Sequence, residues 1–248
     1  MSSISPLHWA AAEGRRDEVL FYLSDGADPD LRDYQLNQTA LHWAADYGMS
    51  GTVRALLDYG ADPNARTDSG VTPLMFAVEK EQGDLLAALA LIDVGADVTA
   101  FNDEGYTALH ALAVNDRNPD ALDMIQTLRI LGADPNATAG QFAASPLHDA
   151  AVSGNGNAVW ALTSALKTGL PANVDLRDNR GLTPLHWASG AVVGSGDSVF
   201  VVRALIFQGA DINAQDPNGR TPLDYAINSE QEQVAEELRA NGAIRGRP

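Results

Sequence analysis

The string [ST]-[PA]-L recurs in register seven times, beginning at Ser5, Thr39, Thr72, Thr107, Ser145, Thr183 and Thr221. Successive copies lie 34, 33, 35, 38, 38 and 38 residues apart. All but the Thr107 copy continue with two residues and an Ala. A second string, Gly-Ala-Asp, follows at Gly26, Gly60, Gly95, Gly132 and Gly209. A period this regular does not come from one closed core. It comes from a stack of similar units, each too small to bury its own apolar face and burying it on the next.

The local chemistry of one copy predicts its shape. Thr183 suits a helix N-cap, because its hydroxyl can accept a bond from a free N–H of the first turn. Pro184 then occupies the first helical position, where its missing N–H costs nothing. Leu185 and Ala188, three apart, share one face of a short helix. A second helix is predicted over Ser198 to Gln208, and Gly209 ends it as a left-handed cap. Ala210 to Gly219 forms the β-turn segment that leads to the next Thr. The fold class is all-α.

The string Thr183-Pro-Leu-His-Trp-Ala188, with Gly-Ala-Asp following five of the seven units and Gly-Ala-Asp-x-Asn at Gly60, Gly132 and Gly209, resembles the ankyrin repeat signature. The resemblance covers nearly the whole chain. It implies a single ankyrin-repeat domain over residues 1–248, a solenoid of helix–turn–helix units with β-turn hairpins, curved with a concave groove. It also implies that the His of each signature bonds the turn and the neighbouring repeat. All five His of the chain, His8, His42, His110, His148 and His186, stand at that position, so none is left over for chemistry. In the family the groove formed by first helices and turn tips holds partner proteins.

Composition narrows the function. There is no Cys, which removes disulfides, thiolate nucleophiles and Cys-ligated zinc. No H-E-x-x-H, G-x-x-x-x-G-K-[ST] or G-x-S-x-G string is present. Asp211 to Gln215 begins like a calcium loop, but Asp216 stands where the EF-hand turn requires Gly. The expectation is a protein with no catalytic residues, no metal and no cofactor. The N-terminus lacks the basic and apolar regions of a secretory leader, and no apolar run is long enough to span a membrane. A cytoplasmic monomer is expected. The net charge is −17, with 21 acidic and 7 basic residues from Met1 to Met124, against 12 and 9 from Ile125 onward. Such a field repels nucleic acid and anionic membranes and steers basic proteins inward.

The irregular places are also legible. Asn37 replaces the Gly of the usual hairpin before repeat two, and Asn tolerates positive φ. Glu81-Gln82 reads as an insertion, and Pro119 as the start of a second helix. Repeat five lacks the D-x-x-G turn between Ala137 and Ala144, and its far end reads G-L-P-A-N-V. Gly190 to Gly196 reads as a mobile loop. Asp224 replaces His in repeat seven, whose second helix is predicted over Ser229 to Arg239. Residues 243–248 read as a flexible tail.

In the family, the residue just after the His faces the groove. Here that column is Trp9, Trp43, Phe76, Ala111, Asp149, Trp187 and Tyr225. Five of the seven are aromatic in a chain that is 6% aromatic overall. Trp9, Trp43, Phe76, Trp187 and Tyr225, with Tyr34 and Tyr106 at the turn tips and Tyr47, are therefore the candidate partner-binding residues. The competing reading is that the rings pack across adjacent first helices. The sequence thus predicts a non-catalytic protein–protein interaction module, an adaptor or scaffold that takes a basic partner on an acidic, aromatic face. The alternative is an acidic inhibitor, of the immunity type, that occludes a cationic enzyme such as a nuclease or toxin.

Overall fold

The computed structural model of the protein describes residues 4–79, 85–115, 120–165, 169–191 and 198–246. Among these it is all-helical. The helices come in pairs: α1 (Pro6–Ala12) and α2 (Arg16–Ser24), α3 (Ala40–Asp46) and α4 (Ser50–Asp58), α5 (Pro73–Glu79) and α6 (Leu86–Asp93). Then follow α7 (Ala108–Val114) and α8 (Ala121–Ile130), α9 (Pro146–Ser153) and α10 (Gly156–Thr163), α11 (Pro184–Gly190) and α12 (Ser198–Phe207), α13 (Pro222–Asn228) and α14 (Glu232–Ala240). Isolated antiparallel bridges join Arg32 to Thr39, Phe101 to Thr107 and Ala139 to Ala144, and mark hairpins before first helices.

The chain divides into two compact units, Met1–Ala108 and Leu109–Pro248. Within the first, α1, α3 and α5 stack on one another, and α2, α4 and α6 form a second layer. Within the second, α9, α11 and α13 stack likewise, backed by α8, α10, α12 and α14. The repeated Leu is the core of both layers. Leu7, Leu41, Leu74, Leu109, Leu147, Leu185 and Leu223 are all buried. So are Ala10, Ala44, Ala77, Ala150, Ala188 and Ala226, whose small side chains let first helices approach closely. In the Thr107 copy Leu112 takes the Ala place and is also buried.

The Gly-Ala-Asp-x-Asn signature has a bonding logic. Within each turn the Asp or Asn side chain accepts the N–H two residues on, as Asp62 does from Asn64 and Asp211 from Asn213. The residue two positions later then accepts the N–H of the next turn. Asp30 takes Asp62, Asn64 takes Asp97, Asn136 takes Asn173, Asp175 takes Asp211 and Asn213 takes Ile244. The calcium-like run at Asp211 is one rung of this ladder.

Several boundaries differ from expectation. The helix of repeat seven starts at Glu232 rather than Ser229, because Glu230 sits at φ 57 and breaks the helical path. Asn37 does take positive φ, 60. In repeat five two residues share that work, Gly140 at φ 67 and Ala143 at φ 51. The last residues are held where a loose tail was expected. Ile244 accepts from the Thr221 hydroxyl, while Arg245 Nε and Gly246 N donate to Asp224 at 2.8 and 2.7 Å. Residues 247 and 248 lie outside the described residues, as do Glu81-Gln82, Pro119 and residues 192–196 of the expected loop.

Candidate functional site

The five His are structural. Nε2 of His42, His110, His148 and His186 lies 3.1–3.3 Å from a backbone oxygen of the next hairpin: Val71, Ala144, Leu182 and Arg220. A carbonyl only accepts, so Nε2 carries the proton. In His42, His148 and His186, Nδ1 is then the acceptor, taking the N–H and hydroxyl of Thr39, Ser145 and Thr183. This closes a capping box at each helix start. Burial holds every one of the five below the ordinary imidazole range, His42 and His110 at about 4. Asp224 supplies the same box in repeat seven and also accepts from Arg245 and Gly246. An acceptor replaces His there because the strand of chain beside it offers donors.

The aromatic column is half clip, half surface. Trp43 Nε1 donates to Asp33 Oδ2 at 3.0 Å, and Trp187 Nε1 to Asp178 Oδ2 at 3.0 Å. Tyr225 donates its hydroxyl to Asp216 Oδ2 at 2.9 Å. Each Asp sits nine or ten residues earlier, in the hairpin before the ring's helix. The other oxygen of each Asp accepts hairpin N–H groups, from Gln35, Leu36 and Gln38 for Asp33. Burial pushes Asp216 up, but bonds from Arg220, Tyr225 and Asn218 outweigh it and hold the group at about 2. Asp33 and Asp178 are lowered in the same way. Sequence reading missed these clips. The signal was available as an Asp nine or ten residues before each ring that carries a donor.

Phe76 has no donor and lies edge-on to His42, with centroids 5.9 Å apart. Trp9 differs from the clipped rings. It is 48% exposed, packs edge-on against Trp43 at 5.4 Å, and its indole N–H has no partner among the described residues. Tyr34 and Tyr106 are exposed at hairpin tips, and Tyr47 at the end of α3 is 52% exposed. The first unit thus brings Trp9, Trp43 and Phe76 onto consecutive first helices. In the second unit Trp187 and Tyr225 are half-buried, and Arg180 stacks 4.0 Å over Phe142 and 5.1 Å from Trp187.

A further feature the sequence did not announce is Arg129, only 1% exposed. Its guanidinium donates to the carbonyls of Ala161, Ser164 and Leu170. It caps α10 and ties down the irregular far end of repeat five. Burial lowers its pKa.

Among the described residues no group of three His, Cys, Asp or Glu could hold a metal ion. None of the described helices is long and apolar enough to cross a membrane. An open cleft of about 450 Å³ between α12 and α14 is crossed by an Arg203–Glu237 pair at 2.7 Å.

The arrangement is that of a stacked helical-repeat protein whose working part is a surface. The chain belongs to the ankyrin repeat family: the model for ankyrin repeats, three copies, matches residues 7–102, 111–216 and 147–245. The fold is similar to the human ASB11 ankyrin repeat domain, with TM-score 0.75 and 23% identity over 99% of this chain and 100% of that one. It is also similar to the ankyrin repeat domain of Bcl-3, a member of the IkappaB protein family, with TM-score 0.73 and 28% identity over 96% and 100%. Comparison with curated proteins gave no match. Ankyrin repeats mediate protein–protein binding, and this chain is a protein-interaction module.

Proposed function

We propose that this protein is a non-catalytic adaptor or scaffold that binds a basic protein segment on the first-helix face of its N-terminal unit. It acts as a cytoplasmic monomer, and neither nucleic acid nor a membrane is its partner. The observation that carries this is Trp9. A half-exposed indole with an unused N–H stands on a unit with 18 acidic against 6 basic residues. Trp43, Phe76 and exposed Tyr47 extend the apolar surface from it. An aromatic anchor inside a negative field selects an apolar segment flanked by Lys or Arg.

The test is affinity capture by the wild type and by Trp9→Ala, at low and high salt. A basic protein retained by the wild type, weakened about tenfold or more in the variant and released by salt supports the reading. Equal retention by both proteins overturns it. The same charge favours one second reading, an inhibitor that occludes a cationic enzyme. Enzymatic activity in the captured protein, abolished on binding, selects it.

A further inference from the structure

Asp149 occupies the aromatic column of repeat five, at the place held by Trp43, Trp187 and Tyr225 in their repeats. Its carboxylate is half-buried and has no hydrogen bond or ion pair among the described residues. The Asp of the clips and of the Thr221 box are satisfied: Asp33, Asp178, Asp216 and Asp224 each accept several donors. The reason for the difference is local. Ten residues before Asp149, where a clip partner belongs, stands Ala139, which has no polar side chain. Repeat five therefore lacks both halves of the clip and keeps one carboxylate.

The register that sets Trp9 against Trp43 on consecutive first helices places Trp187 on the helix next to that of Asp149. The packing of α9 on α11 confirms that register, with the His148 and Trp187 rings 5.3 Å apart. Arg180 already stacks near the Trp187 ring, but its charge goes to Asp178 at 2.8 Å. The imidazoles of His110, His148 and His186 are turned to hairpin carbonyls. Among the described residues no neighbouring charge acts on Asp149, and burial pushes its carboxyl up to about 7. A lone carboxylate with no companion ligands does not make a metal site.

We propose that Asp149 is a socket for one basic side chain of a partner segment, the carboxylate making the ion pair and Trp187 covering the aliphatic stem or guanidinium face. The ion pair is charge-assisted and sheltered, and the ring adds a cation–π contact. This deepens the reading that the protein binds a basic partner, and places a second contact for it on the C-terminal unit. The pair forms only when Asp149 is ionised, so binding strengthens as pH rises through 7.

The probe is an octa-arginine amide, with the neutral octa-citrulline amide as its control. Binding is measured at pH 8 and pH 5.5 to the wild type, Asp149→Asn and Trp9→Ala. The Asp149 carboxyl carbon and the Trp187 indole N–H are followed by NMR. Asp149→Asn is expected to weaken octa-arginine binding about fivefold to tenfold at pH 8 and to leave it unchanged at pH 5.5. Octa-arginine is expected to move the Asp149 titration midpoint down and to shift the Trp187 signal. Equal affinity of wild type and Asp149→Asn at pH 8 overturns the socket, as does a carboxyl signal that the peptide leaves in place. If binding is lost in Trp9→Ala yet untouched in Asp149→Asn, the socket falls and the N-terminal reading stands. If octa-arginine binds the wild type no better than octa-citrulline, both fall.

Discussion

The indole Nε1 of Trp43 donates to Oδ2 of Asp33 at 3.0 Å and so ties α3 to its own hairpin. The other oxygen of Asp33 accepts the N–H groups of Gln35, Leu36 and Gln38. The carboxylate is thus the centre of the turn and the ring is its fourth partner. Asp33→Ala is expected to cost about 2–3 kcal/mol, since four part-buried donors lose their acceptor at once. Trp43→Phe keeps the ring and loses one bond, and should cost about 1 kcal/mol. Thermal unfolding orders the two; equal losses would show that the indole, not the turn, is the dominant element. The same geometry makes Trp9 the cleaner probe of binding, because nothing in the hairpins depends on it.

Ala143 sits at φ 51, where its Cβ crowds the backbone. Ala143→Gly should raise stability by about 0.5–1 kcal/mol by relieving that strain, less the added freedom of the unfolded chain. Gly60 gives the converse. It sits at φ 87, and a Cβ added there would have no neighbour within 4 Å, so Gly60→Val would meet only backbone strain. A loss of about 1–2 kcal/mol is expected. Paired melts of the two variants check the sign at each site, and a destabilised Ala143→Gly would contradict the strain argument.

Arg129 is a buried cation satisfied by three carbonyls. Arg129→Met keeps much of the volume and takes the guanidinium donors from those carbonyls, leaving Ala161 only the Ser164 hydroxyl among the described residues. The expected cost is about 3–5 kcal/mol. Hydrogen exchange should localise it: the Ala172 N–H, bonded to Leu162, should exchange faster than any amide of α14 gains in rate. Uniform loss of protection would point to the whole unit instead.

The seven-copy register made the helices and their buried Leu and Ala positions legible in the sequence, because each is a local rule repeated at fixed spacing, while the role of the His came from the family resemblance. The Thr39, Ser145 and Thr183 caps followed from residue type alone. The Asp–ring clips were not read, although Asp33 and Trp43 are in plain view. Their pairing depends on the hairpin folding back on the helix, and spacing alone does not show that. Arg129 was invisible for a stronger reason. Its partners are backbone carbonyls 32 to 41 residues away, and carbonyls leave no trace in residue identity. Asp224 was read as a departure from the signature, whereas the donors of Arg245 and Gly246 make it the fitting residue.

That pairing is itself open to test. Asp224→His restores the family residue but removes the acceptor for Arg245 and Gly246. The box at Thr221 should survive, since His serves it elsewhere, and the cost in stability should stay at about 1 kcal/mol. The last residues should come free. Trypsin cleavage after Arg245 is expected to speed up about tenfold in the folded protein. An unchanged rate would mean that Ile244 and the Thr221 hydroxyl hold the segment without Asp224.

Acid stability follows from the His. All five have folded-state pKa values below the ordinary 6.5, so the unfolded chain binds more protons than the folded one as pH drops. Their contribution is complete above 6.5 and is lost as pH falls from 6.5 toward 4. For His42 and His110, held at about 4, the loss at pH 5 is roughly 2 kcal/mol each. Protonation would put a proton on Nδ1 of His42, facing the Thr39 N–H that it now accepts. Asp149 works the other way. Its carboxyl is raised to about 7, so the folded state binds its proton first and gains stability as pH falls from 7 toward 4. The His outnumber it, and the melting temperature is expected to fall between pH 7 and pH 5. Asp149→Asn removes the opposing contribution: the variant should melt higher than wild type at pH 8, where the unpaired charge is gone, and fall more steeply on acidification. Parallel pH profiles for the two proteins would mean that Asp149 already has an ion partner in solution.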